Sequence, residues 1–171
     1  MKNSLRSAFC GFALFQCLAL ATASAQIIGN RVDVSRIIDK AVAESALGEP
    51  VKVPAPRNLE GDDGYYSKCN YYSATSNKAL ILRLYQASAG VDVKQQIDSV
   101  RSSTGTAKSL SGLGDKAQIY TGTASGLPAN VVMLYVIKGN SLVTVGLSGL
   151  EEEAAAEKIK RLAQKIVTQI R

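Results

Sequence analysis

Residues 131–147 read VVMLYVIKGNSLVTVGL. Two alternating apolar runs, 131–138 and 141–147, flank the pair Gly139-Asn140, and this spacing predicts a β-hairpin closed by a type II′ turn with glycine leading. Past the second strand, Ser148-Gly149-Leu150-Glu151 has capping-box spacing. A closing helix is therefore expected, with Glu151 to Glu153 placed where the helix dipole favours acids. Ala155, Ile159, Leu162, Ile166 and Ile170 fall on its apolar stripe, and Lys158, Arg161 and Lys165 on the outer one.

Upstream of the hairpin, SGLGDKA at 111–117 contains G-x-G-x-x-A, a form of the dinucleotide-binding fingerprint. A phosphate site needs a strand before it and a helix N-terminus after it. Here a polar run precedes it and AQIYTGT follows, so the reading is a loop feeding a strand near Ile119, with Gly112, Gly114 and Asp115 as turn residues. VDVKQQIDSVR at 91–101 has the spacing of a short helix, and ASGLPAN at 124–130 that of a turn. YYSKCNYYS and KALILRLYQ, joined by Ala74 to Asn77, read as two strands, with Leu80, Leu82 and Leu84 sharing the core face of the second. A first helix is expected behind Asp33, with Val34, Ile37, Ile38, Ala41, Val42 and Ser45 on one side and Gly48 and Pro50 as its stop. Residues 51–64, rich in proline, glycine and acids, read as a surface loop. The order is helix, two strands, helix, three strands, helix. The expected class is α+β, an antiparallel sheet of about five strands packed with helices in two or three layers.

Lys2 and Arg6, the apolar stretch Ala8 to Ala21 and the small residues Ala23-Ser24-Ala25 have the layout of a secretory signal over 1–25. Cys17 follows Leu14-Phe15-Gln16, where a lipobox would have a small residue before the cysteine. The expected product is a single domain over 26–171, periplasmic or secreted, monomeric, with no integral membrane span once the signal is removed. Without Lys2 and Arg6, 18 basic residues face 14 acidic ones. That excess attracts anionic surfaces and falls short of a nucleic-acid footprint, so no nucleic-acid partner is expected. The chain has no histidine, which removes His-based triads and His-ligated zinc. Of three cysteines only Cys69 lies beyond the signal, so an intramolecular disulfide is not expected there. Cys69 shares a strand face with Tyr71 and reads as a buried, slow thiol.

Several features together resemble a family. They are the helix ending in LGEPV, Cys69-Asn70-Tyr71 as a C-x-Y strand entry, GLGDKA, the KG hairpin and the closing helix. These are similar to small secreted bacterial domains and lipoproteins with a PsbP-like α/β/α sandwich. The resemblance implies a non-enzymatic extracytoplasmic binding or sensing module, with no catalytic residues to transfer. It also implies a D-x-C cysteine bonded to the C-x-Y cysteine, where this chain has Asp33-Val34-Ser35 and the partner is missing.

Two groups of residues are candidates for a binding surface. Tyr65, Tyr66 and Tyr72 belong to a tyrosine-rich stretch whose amphipathic rings suit sugar or peptide contact, against the alternative of ordinary strand packing. Lys158, Arg161 and Lys165 form a cationic helix ridge suited to anionic lipid or glycan, against that of a solvated face with Glu157 paired to Arg161. Glu60, Asp62 and Asp63 lack the spacing of a calcium loop and read as a solvated turn, and Ser111 with Lys116 lacks an S-x-x-K pattern. No catalytic, cofactor-binding or metal residue is therefore assigned and no cofactor is expected. The functional expectation is an exported, non-enzymatic binding or sensing module of the cell envelope, its partner a protein or an anionic envelope component. A periplasmic inhibitor or immunity protein, and a small carboxylate-dependent hydrolase, are the alternatives.

Overall fold

A computed structural model describes residues 31–95, 97, 107–121 and 130–171. The secretory signal expected over 1–25 lies outside them, as do most of the turn expected at 124–130 and most of the helix expected over 91–101, of which Lys94, Gln95 and Ile97 are seen to be helical. Seven strands form one antiparallel sheet: β1 Arg57–Gly61, β2 Gly64–Tyr72, β3 Ala79–Ala87, β4 Ala107–Leu110, β5 Lys116–Thr121, β6 Val131–Lys138 and β7 Ser141–Ser148. Their spatial order is β1-β2-β3-β7-β6-β5-β4. The helices described in full are α1 Val34–Ile37, α2 Lys40–Leu47 and α3 Glu152–Val167.

This corrects the expected five-strand α+β layout: the sheet has seven strands, and helices are the lesser part. Both additional strands are the sheet's edges. β1 lies in the stretch read as a surface loop, and all five of its residues are exposed. β4 lies in the polar run before the glycine loop and offers only Leu110 as a large apolar side chain. An edge strand with little buried surface carries no alternating apolar signal, and polar side chains there discourage pairing with other chains. Asp62-Asp63 forms the tight turn between β1 and β2, with Gly61 opposite Gly64.

The β6–β7 hairpin forms in the expected register, Lys138 opposite Ser141. Gly139 has φ 56° while Asn140 stays outside the positive region, as a glycine-led II′ turn requires. SGLGDKA feeds β5 and no helix follows it. The capping box is absent: Ser148 stays in β7, opposite both Ala79 and Val131, and α3 starts after Glu151 without a side-chain cap. The first helix is two. Asp33 caps α1 by accepting from Ser35 N, and Asp39 caps α2 by accepting from Val42 N, so a second aspartate restarts the helix after one turn. The Tyr71 hydroxyl donates to the Ile38 carbonyl left free at that break.

All three helices lie on one face of the sheet. Val34, Ile38, Leu47, Ile159, Leu162 and Ile166 pack there against Cys69, Tyr71, Leu80, Leu82, Leu84, Leu134 and Val145. Cys69 is fully buried, and burial pushes its thiol pKa up, so it is a poor nucleophile. Val34 N donates to Ser67 Oγ at 3.0 Å, fixing α1 on β2.

Glu49, just past α2, ties this layer to the β2–β3 loop. Hydrogen bonds from Ser73 and Ser76 and the Lys78 ammonium hold its carboxyl at about 2, against the ordinary 4.5. A depressed folded-state pKa adds stability that is present above 4.5 and lost as pH falls towards 2. Glu49→Gln is expected to melt earlier than wild type at neutral pH, and the gap should close between pH 4.5 and 2. A gap constant over that interval in a pH series of thermal melts would show that the charge contributes nothing.

Candidate cationic sheet face

The second face of the sheet carries no complete helix among the described residues. A small buried cluster of Tyr85, Ala87, Val93, Ile97, Ile137 and Leu142 covers one end of it, and Tyr66 and Tyr135 pack partly exposed against that cluster. On β5, Gln118 and Tyr120 of this face are buried as well, while Lys68 and Arg83 are exposed and Ile81, Met133 and Tyr135 partly exposed. Strand alternation and register then decide which side chains meet there. Arg57 stands opposite Lys68, and Lys68 opposite Arg83. Arg83 stands opposite Thr144, which stands opposite Tyr135. Three cations from three neighbouring strands thus form one row across the sheet, followed by a hydroxyl and a tyrosine. Arg57, Lys68 and Arg83 are all exposed, and none is in an ion pair among the described residues.

A cleft of about 600 Å³ lies over Lys68, Arg83, Thr144 and Tyr135 of this row, lined also by Tyr66, Ile81 and Met133, with no Asp or Glu among the described residues. Ile81 and Met133 form the apolar part of its floor. Gly146 sits between Ile81 and Met133, and a Cβ there would come within 2.4 Å of Met133 Sδ, so glycine lets the methionine lie across the sheet. At one side Tyr66 stacks on Tyr85, centroids 4.6 Å apart. Tyr66 donates to the Asp63 carboxylate and Tyr85 to the Asp63 carbonyl at 2.8 Å. The Tyr66 bond holds the Asp63 carboxyl below the usual carboxylate range, and the same bond drives the Tyr66 hydroxyl upward. On the far side Tyr135 meets Tyr120 edge to face at 5.5 Å, and burial raises its hydroxyl. Tyr66 and Tyr135 therefore stay neutral at physiological pH, and both are partly exposed. Among the described residues no nucleophile with an activating base lines the cleft, and no three Cys, Asp or Glu side chains are grouped to hold a metal.

The structure distributes the sequence candidates over both faces. Tyr66 lines the cleft, and Tyr72 is on the same sheet face, 51 % exposed, at the far end of β2. Tyr65 is on the helical side, buried beneath Arg31, whose guanidinium lies 5.4 Å from the ring centroid. Lys158 is occupied: it donates to the Ala46 carbonyl at 2.6 Å, at the C-terminal end of α2, where the helix dipole favours a cation. Arg161 and Lys165 are exposed beside it along a shallow groove between α2 and α3. Glu157 pairs with Lys160 at 2.7 Å in place of the expected Arg161. The tyrosines and the helix ridge therefore do not form one surface.

Sequence reasoning missed Arg57, Lys68, Arg83 and Tyr135. Their signal is weak in one dimension, since each is a lone residue within its strand, and only the register sets them side by side. A larger hollow, about 1000 Å³ beside α3 and β4, is lined by four glutamates together with Lys108 and Lys160. Its charges are of both signs and it lacks an aromatic ring, so the cationic face is the better-formed candidate. No protein-family model matches the chain, and neither a curated protein nor a solved structure does.

Proposed function

We propose that this protein is a non-enzymatic binding module of the cell envelope that holds an anionic partner on the second face of its sheet. The observation that supports this reading is the register of Arg57, Lys68 and Arg83, three cations side by side with no acid among them. Like charges directly opposite one another on neighbouring strands oppose folding. An anion lying across them turns that repulsion into attraction and speeds encounter.

The test uses dextran sulfate as a generic polyanion and compares two double charge reversals. Lys68→Glu/Arg83→Glu is expected to weaken binding at least tenfold and to flatten its dependence on salt. Arg161→Glu/Lys165→Glu changes net charge equally on the helical side and is expected to alter affinity less than threefold. Equal losses in the two variants would mean that only net charge matters, and the sheet-face reading would fall.

A further inference from the structure

We infer that the anionic partner is a linear acidic polysaccharide that crosses the strands along the row Arg57, Lys68, Arg83 towards Tyr135, an inference that rests on the binding reading above. The row runs perpendicular to the strands, so its cations recur at the strand spacing of about 4.8 Å. A ligand that meets all three is an extended chain with closely repeated negative charge. One charged group, whether a free phosphate or a single carboxylate, could engage only part of the row.

The rest of the cleft selects among such chains. Tyr66 and Tyr135 both rest on the buried cluster around Tyr85, Ile137 and Leu142, so their positions are set before any ligand arrives. Pre-set tyrosine rings supply apolar area with a polar tip at low entropic cost. Three strand spacings separate β2 from β6, about 14 Å, the reach of a run of sugars rather than of one. On the side of the row away from Tyr66 the floor is Ile81 and Met133 over Gly146, which adds apolar area beside Tyr135. A chain of pyranose rings has what this surface takes, C–H faces for the tyrosines and the floor and carboxylates on its edge for the cations. An acidic peptide or a polyphosphate would use the cations and leave the floor and Tyr135 idle. Single-stranded nucleic acid also combines bases for stacking with a charged backbone. The secretory signal read at residues 1–25 favours the glycan, which an exported protein meets at the envelope.

Isothermal titration of wild-type protein at about 0.15 M salt separates these, using oligogalacturonate, polyglutamate, polyphosphate and oligothymidylate of matched charge, with neutral dextran as the uncharged sugar. Oligogalacturonate is expected to bind at least tenfold more tightly than polyglutamate, and dextran not measurably. This ranking needs no substitution. Tyr135→Leu, shown folded by its melting curve, should then erase the tenfold margin while leaving polyglutamate affinity unchanged. If the anionic polymers bind alike and Lys68→Glu/Arg83→Glu weakens them all, the glycan inference falls and the anion-binding reading stands. Tightest binding of oligothymidylate would also overturn the inference, in favour of nucleic acid. If no polyanion binds, both readings fail together.

Discussion

Gly114→Ala should cost about 3 kcal/mol or more of stability, while Gly112→Ala, two residues earlier in the same loop, should cost only about 1–2 kcal/mol. Both glycines have positive φ, 76° at Gly112 and 65° at Gly114, so a Cβ at either meets the left-handed penalty. They differ in what surrounds them. A Cβ on Gly112 would have nothing within 4 Å. On Gly114 it would stand 2.4 Å from the Ile137 carbonyl oxygen and 2.6 Å from Val136 Cγ1. That oxygen is backbone in β6 and accepts from Asp115 N at 2.7 Å, so it cannot retreat without losing the bond that docks the loop on the strand. In a domain of this size each kcal/mol is worth about 2–4 °C in Tm. Thermal melts should place Gly114→Ala about 6–12 °C below wild type and Gly112→Ala about 2–8 °C below. Equal shifts would mean that the loop does not pack on β6 as described.

Leu82→Ala and Ile81→Ala form a second contrasting pair, adjacent in β3 and on opposite faces. Leu82 is completely buried, with Cys69 and Val145 opposite it on the two neighbouring strands, beneath the helical layer. Truncation there removes apolar burial and leaves a cavity, at a cost of about 3–4 kcal/mol. Ile81 faces the cleft and is partly exposed. Its truncation should cost about 1 kcal/mol, since solvent already reaches the site. Denaturant titration of both variants measures the asymmetry between the faces. Comparable losses at the two positions would show that the cleft face is as closely packed as the helical one, leaving no surface for a partner.

How much of this was legible along the chain depended on how each element is stabilised. The β6–β7 hairpin combines alternation with a two-residue turn that needs only Gly139 at positive φ, so local sequence specifies it. Ala155, Ile159, Leu162 and Ile166 are buried along α3, where period and burial agree, and Ile170 is buried just past its end. The capping-box reading failed because Ser148 pairs with two strands at once, and ladder hydrogen bonds outweigh a local cap. The single first helix failed because Asp39 could cap as readily as Asp33, and the Tyr71 hydroxyl, distant in sequence, favours the break.

The sequence by itself determined those elements whose side chains bury one face, because the period of an apolar pattern is a local property. It also excluded histidine chemistry and set Cys69 on the buried face of its strand. Only the tertiary structure decided the two polar edge strands, which have almost no apolar period to read and exist because β2 and β5 offer them hydrogen bonds. The candidate site was decided at that level too. Arg57, Lys68, Arg83 and Tyr135 lie on four strands and become neighbours only through the β1-β2-β3-β7-β6 order. Tyr65 and Tyr66, adjacent in the chain, are sent to opposite sides of the sheet by the pleat, one beneath Arg31 and the other into the cleft. Register is a relation between distant segments, fixed by which face of each strand is buried, and so it decides which charges meet.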